Sequence, residues 1–177
     1  NQALLLEVRR PVAAQVLRFW FGEAGDYGTR LKRWFEKQPE FDASCRQLFL
    51  PVYERLSAGA GSDWLENRAD CLARIIVLDQ FPRNMFRGSP QAFAADPLAL
   101  AAARHAVARG YDRGYLPVER LFAYLPFEHS EALEDQELAC ELCRPLAAFP
   151  ETDDAYRYAL AHRDIVRRFG RFPHRNA

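Results

Sequence analysis

The chain has 177 residues, of which 49% are apolar and 27% charged, with 24 basic and 24 acidic side chains. This length and composition favour one domain over residues 1–177 with a single well-buried core, and they exclude a disordered chain. Because the charges cancel, no overall field attracts nucleic acid or an anionic membrane, and any electrostatic specialisation must be local.

Membrane insertion and secretion are not predicted. No apolar run approaches the roughly 18 residues that cross a bilayer. The N-terminal segment places arginines after a short apolar stretch, which is the reverse of a signal peptide. The four cysteines lie in a chain large enough to be stable without disulfides, so we expect reduced thiols and a cytoplasmic protein.

Helical periodicity recurs along the chain, without an alternating strand pattern or a hairpin signal. We expect an all-α fold of about eight helices in antiparallel hairpins. No exact repeat at a spacing of about 34 residues accompanies them. The predicted helices cover residues 11–21, 27–37, 39–56, 63–80, 96–110, 117–125, 130–148 and 152–169.

Two prolines are expected to interrupt this pattern. Pro82 disfavours helical geometry at Phe81 and lacks an amide donor, so the helix before it should end near Gln80. Pro126 should break its helix just before the segment 127–131. Both breaks would leave polar residues in loops.

Asp79 continues the apolar spacing of Ile75 and Ile76, so its carboxylate should face the core or the rim of the core. An inward aspartate beside a helix break commonly receives amides or an arginine. We therefore interpret Asp79, Arg83 and Asn84 as structural, unless they meet the C-terminal segment, residues 160–176, in space.

The segment 160–176 contains two histidines and five arginines around a sparse apolar stripe. On a helix His162 shares a face with Ala159, Val166 and Phe169, so its imidazole should point inward. A buried imidazole needs partners, since an unsatisfied polar group costs about 1–3 kcal/mol.

Several long strings now point to a family. LDQFPRNMFRG (78–88), ERLFAYLPFEHSE (119–131) and HRDIVRRFGRFPHRN (162–176) resemble the bacterial proteins grouped as domain of unknown function 924. The resemblance covers nearly the whole chain. It implies an all-α, tetratricopeptide-like superhelical fold and no established activity. Family members continue past residue 176, so a natural C-terminal tail is expected to be missing here.

Histidines with carboxylates have the composition of an acid/base pair or a metal site. No metal-ligand spacing is present, because His162 and Asp164 are two residues apart and diverge on a helix. We therefore predict no metal or cofactor and favour a hydrogen-bonded structural network. Its candidates are Glu128, His129, Glu131, His162, Asp164 and His174.

The arginines suit bidentate binding of carboxylate or phosphate, or ordinary salt bridges with the acidic segment 131–141. Arg171 and Arg175 are the better ligand candidates, because Gly170 and Pro173 take them off the helix. The cluster comprises Arg163, Arg167, Arg168, Arg171 and Arg175, beside Arg83 and Arg87.

Two functions remain open. The first is a binding protein for a partner protein or peptide, or for a small anionic ligand, where segment 127–131 meets the C-terminal segment. The alternative is a metal-assisted hydrolase or acid/base enzyme that uses His129, His162, His174 and nearby carboxylates, with Glu128, His129 and His162 as catalytic candidates. The sequence does not predict the oligomeric state. The predicted ligand-binding residues are Asp79, Arg83, Asn84, Glu128, His129, Glu131, His162, Arg163, Arg171, His174, Arg175 and Asn176.

Overall fold

The computed structural model describes the backbone of residues 2–175 and the side chains of residues 12–175. Within this range the chain forms helices and turns without a β-strand, which confirms the all-α fold. The tetratricopeptide-like superhelix stays a prediction. The helices are α1 (Gln2–Phe21), α2 (Pro39–Ser57), α3 (Arg68–Ile75), α4 (Phe81–Met85), α5 (Asp96–Ala108), α6 (Pro117–His129), α7 (Leu133–Cys143) and α8 (Ala155–Phe169).

The helix predicted over residues 27–37 is wrong, since only a single 3-10 turn, Lys32–Trp34, forms there. Side chains of this turn form hydrogen bonds with the C-terminal end of α1 instead. Arg33 donates to the carbonyl oxygen of Phe19, and the Trp34 indole donates to that of Trp20, both at 2.8 Å. These bonds satisfy carbonyls that a helix end leaves without partners.

The start of α3 also differs from the prediction. Residues Ser62–Glu66 form a 3-10 turn, so Asp63 does not begin the long helix. The N-cap is Asn67, whose side-chain oxygen accepts a hydrogen bond from the Asp70 amide at 2.9 Å. Asparagine is among the best residues for this position.

Other predicted helix ends shift as well. Helix α1 begins before Pro11, and α7 ends at Cys143, followed by a 3-10 turn over Arg144–Ala148. Thr152 does not cap α8, because its hydroxyl donates to the Leu146 carbonyl at 2.8 Å. This hydrogen bond stabilises the connector before α8. The prediction had assigned Thr152 to the helix itself.

Neither Pro82 nor Pro126 breaks its helix. A π-helical turn, Ile76–Gln80, joins α3 to α4, and the Phe81 amide donates to the Ile76 carbonyl five residues earlier. The wider turn shifts the carbonyl that the ring of Pro82 would otherwise meet. Pro126 lies inside α6, which continues to His129. The polar residues at both places are therefore held on helices.

The helices surround a cluster of buried apolar side chains that runs from Ala13 to Ala159. Helix α3 contacts α1, α5 and α6, while α7 contacts α6 and α8. On α8, Val166 is buried as predicted, but Phe169 is exposed, and Phe172 beyond the helix is buried in its place. None of the described helices combines the length and the apolar content that a membrane-spanning segment requires.

Candidate functional site

Asp79 and His129 form a buried hydrogen-bonded pair. The π turn places the Asp79 carboxylate fully inside the protein, where His129 Nδ1 lies 2.8 Å from Oδ1 and Gln80 donates to Oδ2 at 2.8 Å. Burial opposes ionisation of Asp79, but His129, Arg83 and these hydrogen bonds outweigh it and lower the pKa of the carboxyl group.

This pairing fixes the orientation of the His129 ring. An ionised carboxylate only accepts hydrogen bonds, so Nδ1 of His129 carries the hydrogen. Among the described residues, none forms a hydrogen bond with Nε2 of the same ring. His129 thus keeps one ring nitrogen for another partner.

Arg83 links Asp79 to the first turn of α5. Its guanidinium makes two hydrogen bonds to Asp96, at 2.8 and 3.0 Å, and a third to the Asp79 carbonyl at 2.6 Å. Burial lowers the pKa of Arg83, but the charges of Asp79 and Asp96 outweigh it and raise the pKa overall. The hydrogen-bonding capacity of Arg83 is therefore largely used within the protein.

A second carboxylate and histidine pair lies between α6 and α8. His162 Nδ1 is 2.8 Å from Glu128 Oε1, and the Cys143 thiol donates to Glu128 Oε2 at 3.7 Å. Burial and the adjacent Glu128 raise the pKa of Cys143. The His162 side chain remains 34% exposed and packs edge-on against Phe172, so it lies at the rim rather than in the core.

Glu131 joins the end of α6 to the C-terminal segment. Its Oε2 atom accepts a hydrogen bond from the Phe172 amide at 3.1 Å, and its Oε1 atom lies 4.0 Å from Arg175 Nη1. With the bond between Glu128 and His162, this contact shows that segment 127–131 meets the C-terminal segment in space.

Gln136 holds the end of α6, and the sequence reasoning missed this residue. Its fully buried side chain donates to the carbonyls of Glu128 and Ser130 at 2.7 and 2.6 Å. The signal was available, because Gln136 lies at helical spacing on the same face as Cys140 and Cys143. A polar side chain on an apolar face needs polar partners.

A pocket of about 460 Å³ opens between α5, the end of α6 and the C-terminal segment. This volume lies within the range of small-molecule sites. About half of the lining residues are apolar and the rest carry polar or charged groups. The lining residues are Pro90, Phe93, Ala94, Asp96, Pro97, Leu100, Pro126, His129, Ser130, Glu131 and Arg175.

Arg175 is the cation of this pocket. Its side chain is only 12% exposed, and its guanidinium lies between the rings of Phe93 and Phe172, at 4.8 and 4.7 Å from their centroids. Its nearest carboxylate atoms, on Asp96 and Glu131, are 3.6 and 4.0 Å away, beyond hydrogen-bond distance. Burial lowers the pKa of Arg175, and its buried Nε atom has no hydrogen-bond partner among the groups that the structure describes.

Two predicted ligand-binding residues belong to other networks. Asn84 donates to Asp42 at 2.9 Å on the side of α2, away from the pocket lining. Arg163 lies 3.5 Å from Glu137, which also receives a hydrogen bond from Arg167 at 2.7 Å. These contacts support the interpretation that part of the arginine cluster forms ordinary salt bridges between α7 and α8.

Three further candidates lie outside the pocket lining or outside the described residues. Arg171 and His174 are exposed, and the His174 ring lies 5.9 Å from that of Phe172. Asn176 lies outside the described residues. The C-terminal segment therefore contributes Arg175 to the pocket, whereas Arg171 and Arg175 were predicted as equal ligand candidates.

The structure does not gather the three histidines of the alternative hypothesis into one ligand set. His129 and His162 bind different carboxylates, and His174 is exposed. Among the described side chains, residues 12–175, no group of three or more histidine, cysteine, aspartate or glutamate residues is arranged to hold a metal ion. The metal-assisted part of that hypothesis therefore has no matching geometry in this range.

The described chain is all-helical, with a buried Asp79–His129 pair beside a pocket and a second carboxylate–histidine pair at the rim of the core, and comparison with known proteins identifies its family. The chain belongs to the bacterial proteins of unknown function called DUF924, whose family model matches residues 16–177. The resemblance noted in the sequence is thereby confirmed.

A solved structure of a protein of unknown function from Agrobacterium tumefaciens is similar to this chain. The two sequences are 39% identical, and the TM-score is 0.84 over 94% of this chain and 89% of the other. The comparison with curated proteins gives no match. These comparisons establish the family and the fold, and they name no ligand or activity.

Proposed function

We propose that the protein binds a small molecule with a negatively charged group in the pocket beside His129. The observation that carries this proposal is the state of Arg175, a nearly buried guanidinium at the pocket wall without a hydrogen bond to the described residues. Asp96 and Glu131, at 3.6 and 4.0 Å from Nη1, are close enough for charge pairing but too far for hydrogen bonds, so a ligand carboxylate can add charge-assisted hydrogen bonds that these ion pairs lack.

Comparison with the neighbouring arginine, Arg83, supports Arg175 as the residue that binds the anion. Arg83 is already engaged by Asp96 through two hydrogen bonds, whereas Arg175 approaches Asp96 only to 3.6 Å. Arginine's planar fork can bind a carboxylate through two parallel hydrogen bonds. Arg175 is thus the pocket cation with unused donors.

The apolar wall and the volume favour a small molecule over a partner protein. Phe93, Pro97, Leu100 and Pro126 line the pocket and offer burial to a hydrocarbon group. Apolar burial contributes roughly 25 cal/mol per Å². A volume of about 460 Å³ suits a compact ligand of this kind.

The test compares Arg175→Ala with Arg171→Ala, an exposed arginine of the same segment that does not line the pocket. Binding of 4-methylpentanoate and benzoate is measured by calorimetry, with melting temperatures as a check on folding. We expect Arg175→Ala to weaken binding by about tenfold or more, and Arg171→Ala to leave it unchanged. Equal affinities in Arg175→Ala and the wild type would contradict the proposal, as would the same loss in both variants.

A second candidate function is acid/base chemistry on the bound molecule, and it rests on the orientation of His129. Asp79 accepts a hydrogen bond from Nδ1, and the side chain of His129 lines the pocket with Nε2 unused among the described residues. A carboxylate that orients a histidine in this way is a common support for a general base. The ring is therefore positioned to take a proton from a ligand.

This candidate is tested with mono-4-nitrophenyl succinate as substrate, an ester that retains a free carboxylate for Arg175. We expect slow hydrolysis by the wild type, loss of that activity in His129→Ala, and no change in His174→Ala, which removes an exposed imidazole. Identical rates in the two variants would leave only non-specific histidine reactivity and would remove catalysis from the proposal.

A further inference from the structure

Glu131 and Arg175 form a long ion pair in which neither Oε1 of Glu131 nor the guanidinium of Arg175 makes a hydrogen bond to the described residues. The Oε2 atom of Glu131 is occupied by the Phe172 amide. Its Oε1 atom forms no hydrogen bond with the described residues and lies 4.0 Å from Arg175 Nη1. The Glu131 side chain is 38% exposed, so a ligand in the pocket can reach it. The pocket thus offers an anionic and a cationic anchor side by side.

We propose that the ligand is an α-amino acid with an apolar side chain. Its carboxylate binds Arg175, its ammonium group binds Glu131, and its side chain lies against the apolar wall. This assignment rests on the proposed function and narrows the ligand to one chemical class.

The spacing of the two anchors matches the spacing of the charges in an α-amino acid. Two covalent bonds of about 1.5 Å each separate its amino nitrogen from its carboxyl carbon, so the two charges are close together. Glu131 Oε1 and Arg175 Nη1 are likewise close, at 4.0 Å. Amino acids with the amino group on a more distant carbon separate their charges further and fit this pair less well.

The charges around the pocket also favour a zwitterion over a simple anion. Asp79, Asp96 and Glu131 bring three carboxylates to this region, against the guanidinium groups of Arg83 and Arg175. A simple anion adds a further negative charge close to Asp96 and Glu131. An α-amino acid adds none in total, and its ammonium group offsets the repulsion.

The remaining wall of the pocket selects the side chain. Phe93, Pro97, Leu100 and Pro126 present rings and methylene groups without a hydrogen-bonding side chain. A branched aliphatic or aromatic side chain gains free energy by burial there, whereas a charged side chain loses hydration. Leucine is therefore a suitable probe.

The experiment measures calorimetric affinities of the whole protein for L-leucine and three analogues. The analogue 4-methylpentanoate lacks the ammonium group, 3-methylbutylamine lacks the carboxylate, and leucinamide replaces the carboxylate by an amide. We expect L-leucine to bind about tenfold more tightly than any of the three.

Two variants test whether the ammonium group of the ligand binds Glu131. Glu131→Gln retains an oxygen for the Phe172 amide but removes the charge, and Glu134→Gln makes the same change at an exposed position on α7. We expect Glu131→Gln to lower the affinity for L-leucine by about tenfold without lowering the affinity for 4-methylpentanoate. Glu134→Gln should change neither affinity. Melting temperatures show whether each variant is folded.

The outcomes separate this inference from the proposed function. If 4-methylpentanoate binds as tightly as L-leucine, the amino-acid assignment is overturned and the anion-binding function stands. If leucinamide binds as tightly as L-leucine, the protein does not recognise the carboxylate. The amino-acid assignment is then overturned, and the amino terminus of a peptide becomes the ligand class. If neither L-leucine nor 4-methylpentanoate binds, both proposals are overturned.

Discussion

At the residue scale, the two histidines of the site are held by carboxylates that sequence spacing cannot pair with them. The inward direction of Asp79 followed from its position on an apolar helical face, and the structure places it in the interior. Its partner, His129, lies fifty residues further along the chain, and local periodicity carries no information about such a contact. The need for a partner was predictable, but its identity was not.

Replacing His129 by alanine should destabilise the protein. The change leaves the fully buried Asp79 carboxylate without the hydrogen bond at 2.8 Å, and we expect a loss of about 1–3 kcal/mol in the free energy of unfolding. Urea denaturation measures this loss. His174→Ala is the control, since that side chain is exposed and should change stability by less than about 0.5 kcal/mol. Equal effects would show that the pair with Asp79 contributes nothing.

Asp79 should also make stability depend on pH. Its pKa in the folded protein is below its ordinary value of 3.8, so the unfolded chain binds a proton at a higher pH than the native state does. This contribution is present above the ordinary pKa and is lost as the pH falls through the lowered one. Urea denaturation at several pH values from about 6 to 3 should show a steeper acid loss in the wild type than in Asp79→Asn.

Asp153→Asn, which changes an exposed carboxylate, is the control for this measurement and should retain the wild-type acid dependence. An unchanged acid slope in Asp79→Asn would indicate that the buried carboxylate is protonated alike in the folded and unfolded states.

At the element scale, the predicted helix breaks at two prolines were wrong, and both prolines lie in segments that form the site. Pro82 and Pro126 were expected to end helices, since each lacks an amide donor and restricts its neighbour. The π turn before Pro82 and the continuation of α6 through Pro126 depend on tertiary packing, which local propensity does not include. Most apolar faces were predictable because their periodicity is strong, whereas helix ends depended on single side chains such as Asn67.

Gln136 should stabilise the C-terminal end of α6. Its side chain donates to the carbonyls of Glu128 and Ser130, so Gln136→Leu leaves buried acceptors unsatisfied. We expect a loss of about 1–3 kcal/mol in the free energy of unfolding, measured by urea denaturation. Glu141→Leu on the exposed side of α7 is the control and should have little effect. If Gln136→Leu is as stable as the wild type, other groups hold this helix end.

The N-cap of α3 gives an independent check on the corrected helix start. Asn67→Ala removes the hydrogen bond to the Asp70 amide and should cost about 1 kcal/mol of stability. Gln38 precedes α2 without a side-chain cap bond, so Gln38→Ala should cost much less. A result in the opposite order would place the helix start elsewhere.

At the scale of the whole molecule, the fold class and the family were predictable, and the assembly of the pocket was predictable only in part. The C-terminal segment was expected to meet residues 127–131, and the contacts of Glu131 and Glu128 place them together. The side of the pocket that contains Phe93 and Asp96 was not foreseen, because these residues approach Arg175 only through the packing of segments that are distant in the sequence. Arg171 and Arg175 looked equivalent for the same reason.

Nitrogen NMR of the histidine rings during addition of L-leucine tests most directly whether the ligand binds beside His129. His129 lines the pocket, whereas His105 bonds the Leu65 carbonyl and does not line it. Saturating ligand should shift the His129 ring signals, with Nδ1 remaining protonated toward Asp79, and should leave His105 unchanged. Saturation with L-leucine or 4-methylpentanoate that leaves the His129 signals in place would contradict the assignment of this pocket as the ligand site.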